Sequence, residues 1–310
     1  MKQAPLEIAR KDMGNFEIIK GDTFKKVHEL KDNSIQLLIT SPPYNIGKEY
    51  EKRVDFEKYL EPYREFAVTV FDKIKEGGSV AWEVGNFVKK GEVFPLDTYF
   101  YKIFKDAGFK LRNRVIWHFG HGLNAKLRMS GRYETILWFT KNTSTKNYVF
   151  NLDPIRVPAK YPGKLAYKGK NRGKPSGNPL GKNPSDFWEI VLQDWEKLIW
   201  EIPNVKSNHP EKTSHPCQFP IELVQRCVLA LSNEDDLVYD PFMGVGSTMI
   251  GAIMHGRNAV GMELDEGYIS TTKQRIKEYK NGVLKIRPLG KPVYKPTGKE
   301  KVSKIPNSWL

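Results

Sequence analysis

Strand-length apolar runs alternate with helical apolar stripes on both sides of a basic segment that is rich in glycine and proline. Residues 34–40 form a nearly continuous apolar run, which is typical of a strand buried on both faces. Apolar side chains then recur with helical spacing over residues 56–75. The same order returns after the basic segment, where a short strand at 236–239 precedes a helix that runs through Met254. This alternation predicts an open α/β sheet that is doubly wound and mostly parallel.

The same two periodicities predict the other elements. A Gly77-Gly78 pair is predicted to end the first long helix. Residues 110–119 and 133–140 have the pattern of two further strands, which would form a hairpin. The remaining predicted elements are strands at 16–20, 79–84 and 259–262, and helices at 96–106, 220–231 and 268–279.

Positive charge is concentrated in the segment that interrupts the alternation. The 310 residues include 50 Lys and Arg against 36 Asp and Glu, a net charge of +14, and residues 141–183 contain ten basic residues and one acid, Asp153. Basic side chains neutralise phosphates and interleaved aromatic rings can stack on bases, so nucleic acid is the expected partner. A basic protein without a nucleic-acid role stays an open alternative. The second basic stretch begins at Asn281 and is expected to be a solvated tail.

Composition also excludes several classes of protein. No apolar run reaches about 18 residues, so no membrane-spanning helix is expected, and the N-terminal residues lack the apolar region of a secretory signal. Two cysteines, Cys217 and Cys227, are too few for a disulfide framework and fit a reducing cytoplasm. These cysteines, His209 and His215 match no zinc-ligand spacing, so no metal site is expected.

The first candidate site is a turn with two glycines, Gly244 and Gly246, that follows a predicted strand and opens a helix. These glycines permit a tight turn and close approach of the backbone to a ligand. The Gly-Lys-Ser/Thr ending of a phosphate-binding loop is absent, and Met249 replaces the third glycine of the dinucleotide fingerprint. Glu263 follows the turn at the distance where a carboxylate accepts hydrogen bonds from both ribose hydroxyls. The pattern favours a nucleoside site, although an ordinary strand–helix turn would also use these glycines.

The second candidate site is the sequence Thr40-Ser41-Pro42-Pro43-Tyr44, which ends the buried strand. The prolines cannot extend a ladder, and because they lack N–H groups they leave the carbonyls of Ser41 and Pro42 free as acceptors. Acceptors beside an aromatic ring suit a planar group with an exocyclic amine, such as a nucleobase. A strand-ending turn with a packed tyrosine is the alternative interpretation.

The tetrapeptide Ser-Pro-Pro-Tyr at 41–44 and the turn Asp-Pro-Phe-x-Gly-x-Gly at 240–246 together resemble the DNA amino-methyltransferases that use S-adenosylmethionine. The order also resembles the β-group of that family, in which the catalytic tetrapeptide precedes the basic insertion and the cofactor turn comes last. The resemblance covers residues 16–279. It implies a class I methyltransferase fold, which is Rossmann-like, with an inserted target-recognition region, and S-adenosylmethionine as the cofactor.

The resemblance implies a role for each residue of the two sites. The target base would leave the duplex stack. The Ser41 side chain and the Pro42 carbonyl would accept hydrogen bonds from its exocyclic NH₂, and Tyr44 would stack on its ring. These acceptors restore lone-pair density on the nitrogen, so in-line transfer needs no enzyme nucleophile and positioning supplies most of the rate. The implied cofactor-binding residues are Asp22, Thr213, Asp240, Phe242, Gly244, Gly246, Ser247, Thr248 and Glu263.

The resemblance also implies an organisation along the chain. Four aromatic residues of the insertion are expected to form a small core of their own: Phe187, Trp188, Trp195 and Trp200. Phosphate contacts are expected from Arg128, Arg132, Lys164, Lys168, Lys170, Arg172 and Lys174. The expected units are a catalytic half at 16–141, a target-recognition insertion at 142–208, a cofactor-binding half at 209–280 and a basic tail at 281–310.

Double-stranded DNA is the expected substrate, and two target bases stay open. Serine at the first tetrapeptide position is more usual in cytosine-N4 enzymes and aspartate in adenine-N6 enzymes, so cytosine N4 is the predicted target. Two other functions stay open: a non-catalytic nucleic-acid-binding protein, and a nicotinamide-dependent dehydrogenase, which the missing third glycine disfavours. The family is compatible with a homodimer and a cognate restriction endonuclease. The predicted location is the cytoplasm, at the nucleoid of a prokaryotic or phage-type system.

Overall fold

The computed structural model describes residues 13–49, 51–119, 124–141, 147–159, 161–188, 202–206 and 209–291. The strands are β1 (Phe16–Lys20), β2 (Ile35–Thr40), β3 (Ile74–Val84), β4 (Asn86–Lys89), β5 (Glu92–Pro95), β6 (Lys110–His118), β7 (Tyr133–Thr140), β8 (Phe187–Trp188), β9 (Leu237–Asp240) and β10 (Asn258–Glu263). The helices are α1 (Thr23–Lys26), α2 (Phe56–Lys73), α3 (Leu96–Asp106), α4 (Ile221–Leu231), α5 (Ser247–Ile253) and α6 (Glu266–Lys280).

Eight of these strands form one sheet in the order β1-β10-β9-β2-β3-β7-β6-β8. The first five are mutually parallel. Strand β7 is antiparallel to both of its neighbours, β3 and β6. Strands β6 and β7 therefore form the predicted hairpin pair. Parallel neighbours need crossover connections, and helices on both faces of the sheet supply them. The predicted doubly wound, mostly parallel α/β fold is confirmed.

Two apolar cores fill the spaces between the sheet and its helices. On one face Ile39 of β2 belongs to a buried cluster with Val224 of α4 and with side chains of α5 and α6. On the other face α2 and α3 cover Trp82 of β3, which is fully buried and packs against Phe104. Strand β2 is buried at every residue because it lies in the middle of the sheet, between β9 and β3. Its carboxyl end therefore opens at the centre of the sheet edge.

The predicted end of the first long helix at Gly77-Gly78 is wrong. Helix α2 ends at Lys73, and β3 begins at the next residue. The two glycines lie in an irregular part of β3, where the pairing with β2 changes register between Ile35 and Leu37 and Gly77 has a φ of +80°. Extra residues in a strand form a bulge, and glycine is common there. The glycine pair therefore marks a bulge and not the end of a helix.

Four of the described elements have no counterpart in the sequence prediction: α1, β4, β5 and β8. Strands β4 and β5 form a hairpin through a turn at 90–91, where both residues have positive φ, as a two-residue hairpin turn requires. Residues Phe187–Trp188 form β8 and pair with β6, so they extend the central sheet. The expectation that these two residues form a small core with Trp195 and Trp200 stays a prediction. Trp195 and Trp200 lie outside the described residues.

The expectation of a solvated tail is wrong for the first part of the C-terminal stretch. The buried Arg287 side chain forms an ion pair with the buried carboxylate of Glu222 in α4. The N–H groups of Arg287 and Gly290 donate hydrogen bonds to Glu211 Oε1 at 3.0 Å and Glu222 Oε1 at 2.9 Å. Buried carboxylates need such donors, so docking of this segment satisfies two of them. Residues after 291 lie outside the described part.

None of the described helices is long and apolar enough to cross a bilayer. Within the same described segments, no group of three or more His, Cys, Asp or Glu side chains is arranged to hold a metal ion. Cys227 belongs to α4 and is buried in the core, and Cys217 is exposed.

Candidate active site

The two candidate sites meet at adjacent strand ends. Strands β2 and β9 are parallel neighbours and end at Thr40 and Asp240. The Thr40 hydroxyl donates a hydrogen bond to Asp240 Oδ1 at 2.6 Å, and both side chains are buried. Ligands of open α/β sheets bind beyond the carboxyl ends of the strands. A cavity of about 1090 Å³ lies there, and residues 41–44 and 241–245 both line it.

Backbone geometry explains the two glycines of the turn. Gly244 and Gly246 have φ values of +52° and +76°, a region that L side chains rarely adopt. A Cβ at Gly246 would lie 2.4 Å from Thr272 Cγ2, so glycine allows α6 to pack on the turn. A Cβ at Gly244 would lie 3.4 Å from His215 Nε2, on the cavity wall. Glycine at 244 thus keeps the backbone open to a ligand.

Glu263 at the end of β10 holds the turn in place. Its Oε2 accepts a hydrogen bond from the Gly244 N–H at 2.8 Å, and its Oε1 accepts two from the N–H groups of Leu264 and Asp265, each at 2.9 Å. The three N–H donors lower the pKa of Glu263, but burial has the larger effect and raises it. A carboxylate has about four acceptor sites, so Glu263 can accept a further donor such as a ribose hydroxyl.

The cavity wall also carries an unsatisfied polar group. Ser247 lines the cavity, and its buried hydroxyl has no hydrogen-bond partner among the described residues. Buried polar groups are normally paired, so this hydroxyl indicates a polar ligand. An acceptor carboxylate, an unpaired hydroxyl and an exposed glycine backbone fit the nucleoside part of S-adenosylmethionine.

The predicted cofactor residues fall into two groups. The Asp22 carboxylate caps α1 by accepting from the Phe24 N–H at 3.1 Å. The Thr213 hydroxyl donates a hydrogen bond to Gln218 Oε1 at 2.9 Å, and Gln218 itself lines the cavity. The residues that line the cavity are Asp22, Phe242, Gly244, Ser247 and Glu263. The other four do not line it: Thr213, Asp240, Gly246 and Thr248.

The Ser-Pro-Pro-Tyr corner is held by hydrogen bonds of its own. The Tyr44 hydroxyl donates to Glu83 Oε2 at 2.8 Å, and its oxygen lies 3.0 Å from Ser41 Oγ. Because the Tyr44 proton points to Glu83, the Ser41 hydroxyl is the donor to Tyr44. Burial raises the pKa of Tyr44, which therefore stays protonated. The Pro43 carbonyl accepts from the Tyr59 hydroxyl at 2.7 Å, which fixes the corner against α2.

Two carboxyl groups that the sequence analysis missed lie beside this corner. Glu83 is buried near the end of β3, and Glu134 of β7 forms a hydrogen bond with it. Burial raises the pKa of both groups, and the nearby Glu83 charge raises that of Glu134 further. Of the two carboxyl groups, Glu134 is therefore the one that stays protonated, and its O–H donates the hydrogen bond to Glu83. An acidic residue within the apolar run at 79–84 was the signal that could have pointed to Glu83.

The sequence model of a family described as DNA methylase (N6_N4_Mtase) matches residues 35–274, a span that contains residues 41–44, residues 241–245 and most of the other residues that line the cavity. The chain belongs to this DNA methylase family. The type II methyltransferase M.BglII of Bacillus subtilis is 42% identical over 259 residues, which are 83% of this chain and 68% of that protein. The DNA adenine methyltransferase YhdJ of Escherichia coli (strain K12) is 31% identical over 265 residues, which are 84% of this chain and 82% of YhdJ.

Solved structures share the fold of this DNA methylase. The cytosine-N4-specific PvuII DNA methyltransferase matches with a TM-score of 0.61 at 22% identity, over 88% of this chain and 93% of that chain. A DNA modification methylase of Thermus thermophilus, solved in complex with S-adenosyl-L-methionine, matches with a TM-score of 0.57 at 23% identity, over 88% and 98%. Membership in the family confirms the resemblance stated above, the class I methyltransferase fold and S-adenosylmethionine as the cofactor.

Replacing Asp240 by asparagine should stabilise the ligand-free methylase above pH 6. Burial raises the pKa of Asp240 to about 6, against the Thr248 and Thr40 hydroxyls, which lower it. The native state therefore holds the proton more tightly than the unfolded chain, and stability is lost as the pH rises through this window. The shift corresponds to a gain on the order of 2–3 kcal/mol for the variant at pH 8.

Thermal unfolding of both proteins from pH 4 to pH 8 measures this difference. The gap between Asp240→Asn and the wild type should open as the pH rises and stay constant above about pH 6. Asp106→Asn, at an exposed carboxylate, is the control and should leave the pH dependence unchanged. If the difference in stability between the two proteins were the same at pH 4 and pH 8, burial would not raise the pKa of Asp240.

The predicted DNA-contacting residues all lie away from the protein core. Arg128 is exposed, and Arg132 Nη2 donates to Asn124 Oδ1 at 2.7 Å. The five basic residues of the insertion that were named for phosphate contacts are exposed: Lys164, Lys168, Lys170, Arg172 and Lys174. Exposure leaves them free to reach a duplex, and their roles stay predictions.

Proposed function

We propose that this DNA methylase transfers a methyl group from S-adenosylmethionine to N4 of a cytosine that is flipped out of double-stranded DNA. The observation that carries the proposal is the hydrogen bond between Thr40 and Asp240. It joins a corner that suits an exocyclic amine to a corner that suits a nucleoside, within one cavity. Direct transfer needs donor and acceptor held together in this way.

The cofactor half of the cavity would use the residues on its wall. S-adenosylmethionine supplies an electrophilic methyl group on a sulfonium. Glu263 would accept hydrogen bonds from the ribose hydroxyls, and Ser247 would offer its unpaired hydroxyl to a polar group. Phe242 supplies an apolar surface, since its ring packs 5.9 Å from Phe24 and 6.0 Å from Tyr63 between ring centroids.

The base half of the cavity would position the amine and remove its proton. Ser41 Oγ and the Pro42 carbonyl would accept the two N–H groups. When the N–C bond forms, the nitrogen becomes positively charged and one N–H proton must leave. The hydroxyls of Ser41 and Tyr44 lead from this position to Glu83, and each can pass on its own proton as it receives the next. The proton then ends on the Glu83–Glu134 carboxyl pair.

The choice of cytosine N4 rests on serine at position 41, which is more usual in cytosine-N4 enzymes. Adenine N6 is the second candidate, because the relative YhdJ is a DNA adenine methyltransferase. Mass spectrometry of nucleosides from DNA incubated with the protein and methyl-labelled cofactor separates the two. Labelled N4-methylcytosine supports the proposal, and labelled N6-methyladenine alone supports the second candidate. Unlabelled DNA bases would contradict both.

Replacing Glu263 by alanine should weaken cofactor binding by about 10- to 100-fold, because hydrogen bonds to a charged group contribute about 1.5–3 kcal/mol. The change also releases the Gly244 N–H, which shapes the turn. Isothermal titration calorimetry with S-adenosylmethionine measures the effect. Glu266→Ala removes an exposed neighbouring carboxylate that pairs with Lys20 and should bind the cofactor like the wild type. Equal affinity of the Glu263 variant would exclude its role at the ribose.

We place target recognition in the insertion at 142–208, whose exposed basic residues would contact phosphates. The type II name of the relative M.BglII is consistent with a cognate endonuclease that reads the same DNA sequence. A homodimer and a cytoplasmic location at the nucleoid complete the proposal.

A further inference from the structure

The loop between β6 and β7 exposes two apolar side chains without cover. Leu127 is 100% exposed and Met129 is 95% exposed, the two highest values among the large apolar side chains of the described residues. They stand on either side of Arg128, in a segment we call the tip (residues 126–129). Single exposed apolar residues are ordinary, but a pair of uncovered side chains at a loop end is a feature of interaction sites.

The loop that carries the tip is closed by its own hydrogen bonds. The Ala125 N–H donates to Ser130 Oγ at 3.1 Å, and Arg132 Nη2 donates to Asn124 Oδ1 at 2.7 Å. The Phe119 N–H donates to the Arg132 carbonyl at 2.8 Å, which ties the loop to the ends of β6 and β7. The two apolar side chains are therefore presented outward by a defined turn.

The loop that carries the tip begins and ends at the catalytic cavity. Trp117 and Phe119 at the end of β6 and Glu134 at the start of β7 line that cavity, and the loop connects these two strand ends. Glu134 forms a hydrogen bond with Glu83, which accepts from Tyr44, so one end of this loop lies at the base half of the cavity.

The surroundings of the tip are positively charged. Lys126, Arg128 and Arg132 lie within the loop, and residues 124–133 contain no acid. Lys206 adds a further cation close to Arg132. Burial lowers the pKa of Lys206, and the nearby Arg132 charge lowers it further. Cations flanking an apolar tip suit a DNA duplex, in which charged phosphates surround an apolar base stack.

We propose that the tip enters the duplex and that Leu127 and Met129 occupy the space vacated by the flipped target base. Extrusion breaks stacking and pairing, and an apolar wedge between base steps replaces part of the lost stacking. Lys126 and Arg128 hold the flanking phosphates while the wedge is in place. This inference rests on the proposed function and names the residues that open the duplex for it.

The test compares two duplexes that contain the methylation site of the wild-type protein. In one the target base is paired, and in the other it faces a base that cannot pair with it. The double variant Leu127→Ser/Met129→Ser should methylate the paired duplex about 30-fold more slowly than the wild type, because extrusion becomes harder. On the mispaired duplex its rate should stay within about twofold of the wild type, since a mismatched base leaves the stack readily.

Two control variants separate the wedge from other roles. Arg128→Gln should weaken binding to both duplexes alike, because it removes a phosphate contact. Val68→Ser removes an exposed apolar side chain of α2 and should match the wild type on both. With a fluorescent cytosine analogue that pairs with guanine as the target base, the wild type should raise its fluorescence on binding, and the double variant should not.

Equal loss of rate on both duplexes, or no loss on either, would overturn the inference. A double variant that binds S-adenosylmethionine with wild-type affinity and still fails on both would place the tip in DNA binding instead. Wild-type protein that labels no base in any DNA, so that no methylation site can be assigned, would refute the proposed function itself, which is a distinct result.

Discussion

Replacing Tyr44 by alanine should reduce methyl transfer by about 10- to 100-fold, from loss of base stacking worth about 1–3 kcal/mol. The alanine also breaks the link from Ser41 to Glu83, since the Tyr44 hydroxyl contacts both. Cofactor affinity should be unchanged, because Tyr44 lies on the base side of the cavity. The glycine turn that Glu263 holds lies on the cofactor side. Single-turnover kinetics with labelled cofactor, together with calorimetry, measures the two effects separately.

Tyr44→Phe is the matched control for this prediction. It keeps the ring for stacking and removes the hydroxyl that donates to Glu83 at 2.8 Å. We expect it to lie between the wild type and the alanine variant, with a rate that depends more strongly on pH because the path for the proton is interrupted. An alanine variant as active as the wild type would show that the base binds elsewhere.

Replacing Arg287 by alanine should destabilise the protein by about 3 kcal/mol, the lower end of the cost of breaking a buried ion pair. Its partner Glu222 is fully buried and would keep, among the described residues, Arg226 at 3.3 Å and the Gly290 N–H as hydrogen-bond donors. Burial raises the pKa of Glu222 even with both arginines present, so removing one leaves a poorly compensated charge. The unfolding temperature should fall by several degrees, on the order of 5–10 °C.

A triple variant keeps this second prediction testable. Glu222→Gln combined with Arg226→Met and Arg287→Met removes all three charges of the buried cluster and should recover part of the lost stability, because neither Glu222 nor Arg226 is then left without its charged partner. Lys102→Ala breaks an exposed ion pair with Asp106 and should shift the unfolding temperature by less than about 1 °C. An unchanged unfolding temperature for Arg287→Ala would show that the C-terminal segment does not contribute to stability.

The C-terminal segment also bears on the cofactor side of the cavity. Glu211 accepts hydrogen bonds from the N–H groups of Arg287 and Ile221 at 3.0 Å and 2.9 Å. The Glu211 carbonyl in turn accepts from Gln218 Nε2 at 2.9 Å. Gln218 and His215 line the cavity, so docking of residues 285–291 helps to hold that part of its wall. A sequence that is rich in lysine and proline does not indicate this contact.

Predictions from local patterns succeeded where the signal is local. The helix predicted at 96–106 and the strand predicted at 133–140 agree with α3 and β7 residue for residue, because apolar periodicity reports which face is buried. Strand β8 has two residues and exists only through its pairing with β6. The Gly77-Gly78 bulge likewise depends on the partner strand, which no local pattern contains.

The same distinction holds for the active site. Ser41, Pro42 and Tyr44 could be found because a double proline after a buried strand is unusual in itself. Glu83 and Glu134 could not, because they lie 51 residues apart and meet only through the pairing of β3 with β7. Leu127 and Met129 are ordinary apolar residues until their exposure is known.

By itself the amino-acid order determined the α/β class, the two chemical corners and the family, since each depends on residue type and on spacing within one short stretch. The tertiary structure alone decided that Thr40 meets Asp240, that two carboxyls share a buried position beside Tyr44, and that Arg287 closes over Glu222. These contacts join segments far apart in the chain, and their energies come from burial and from hydrogen bonds across the core, which exist only once the sheet has assembled.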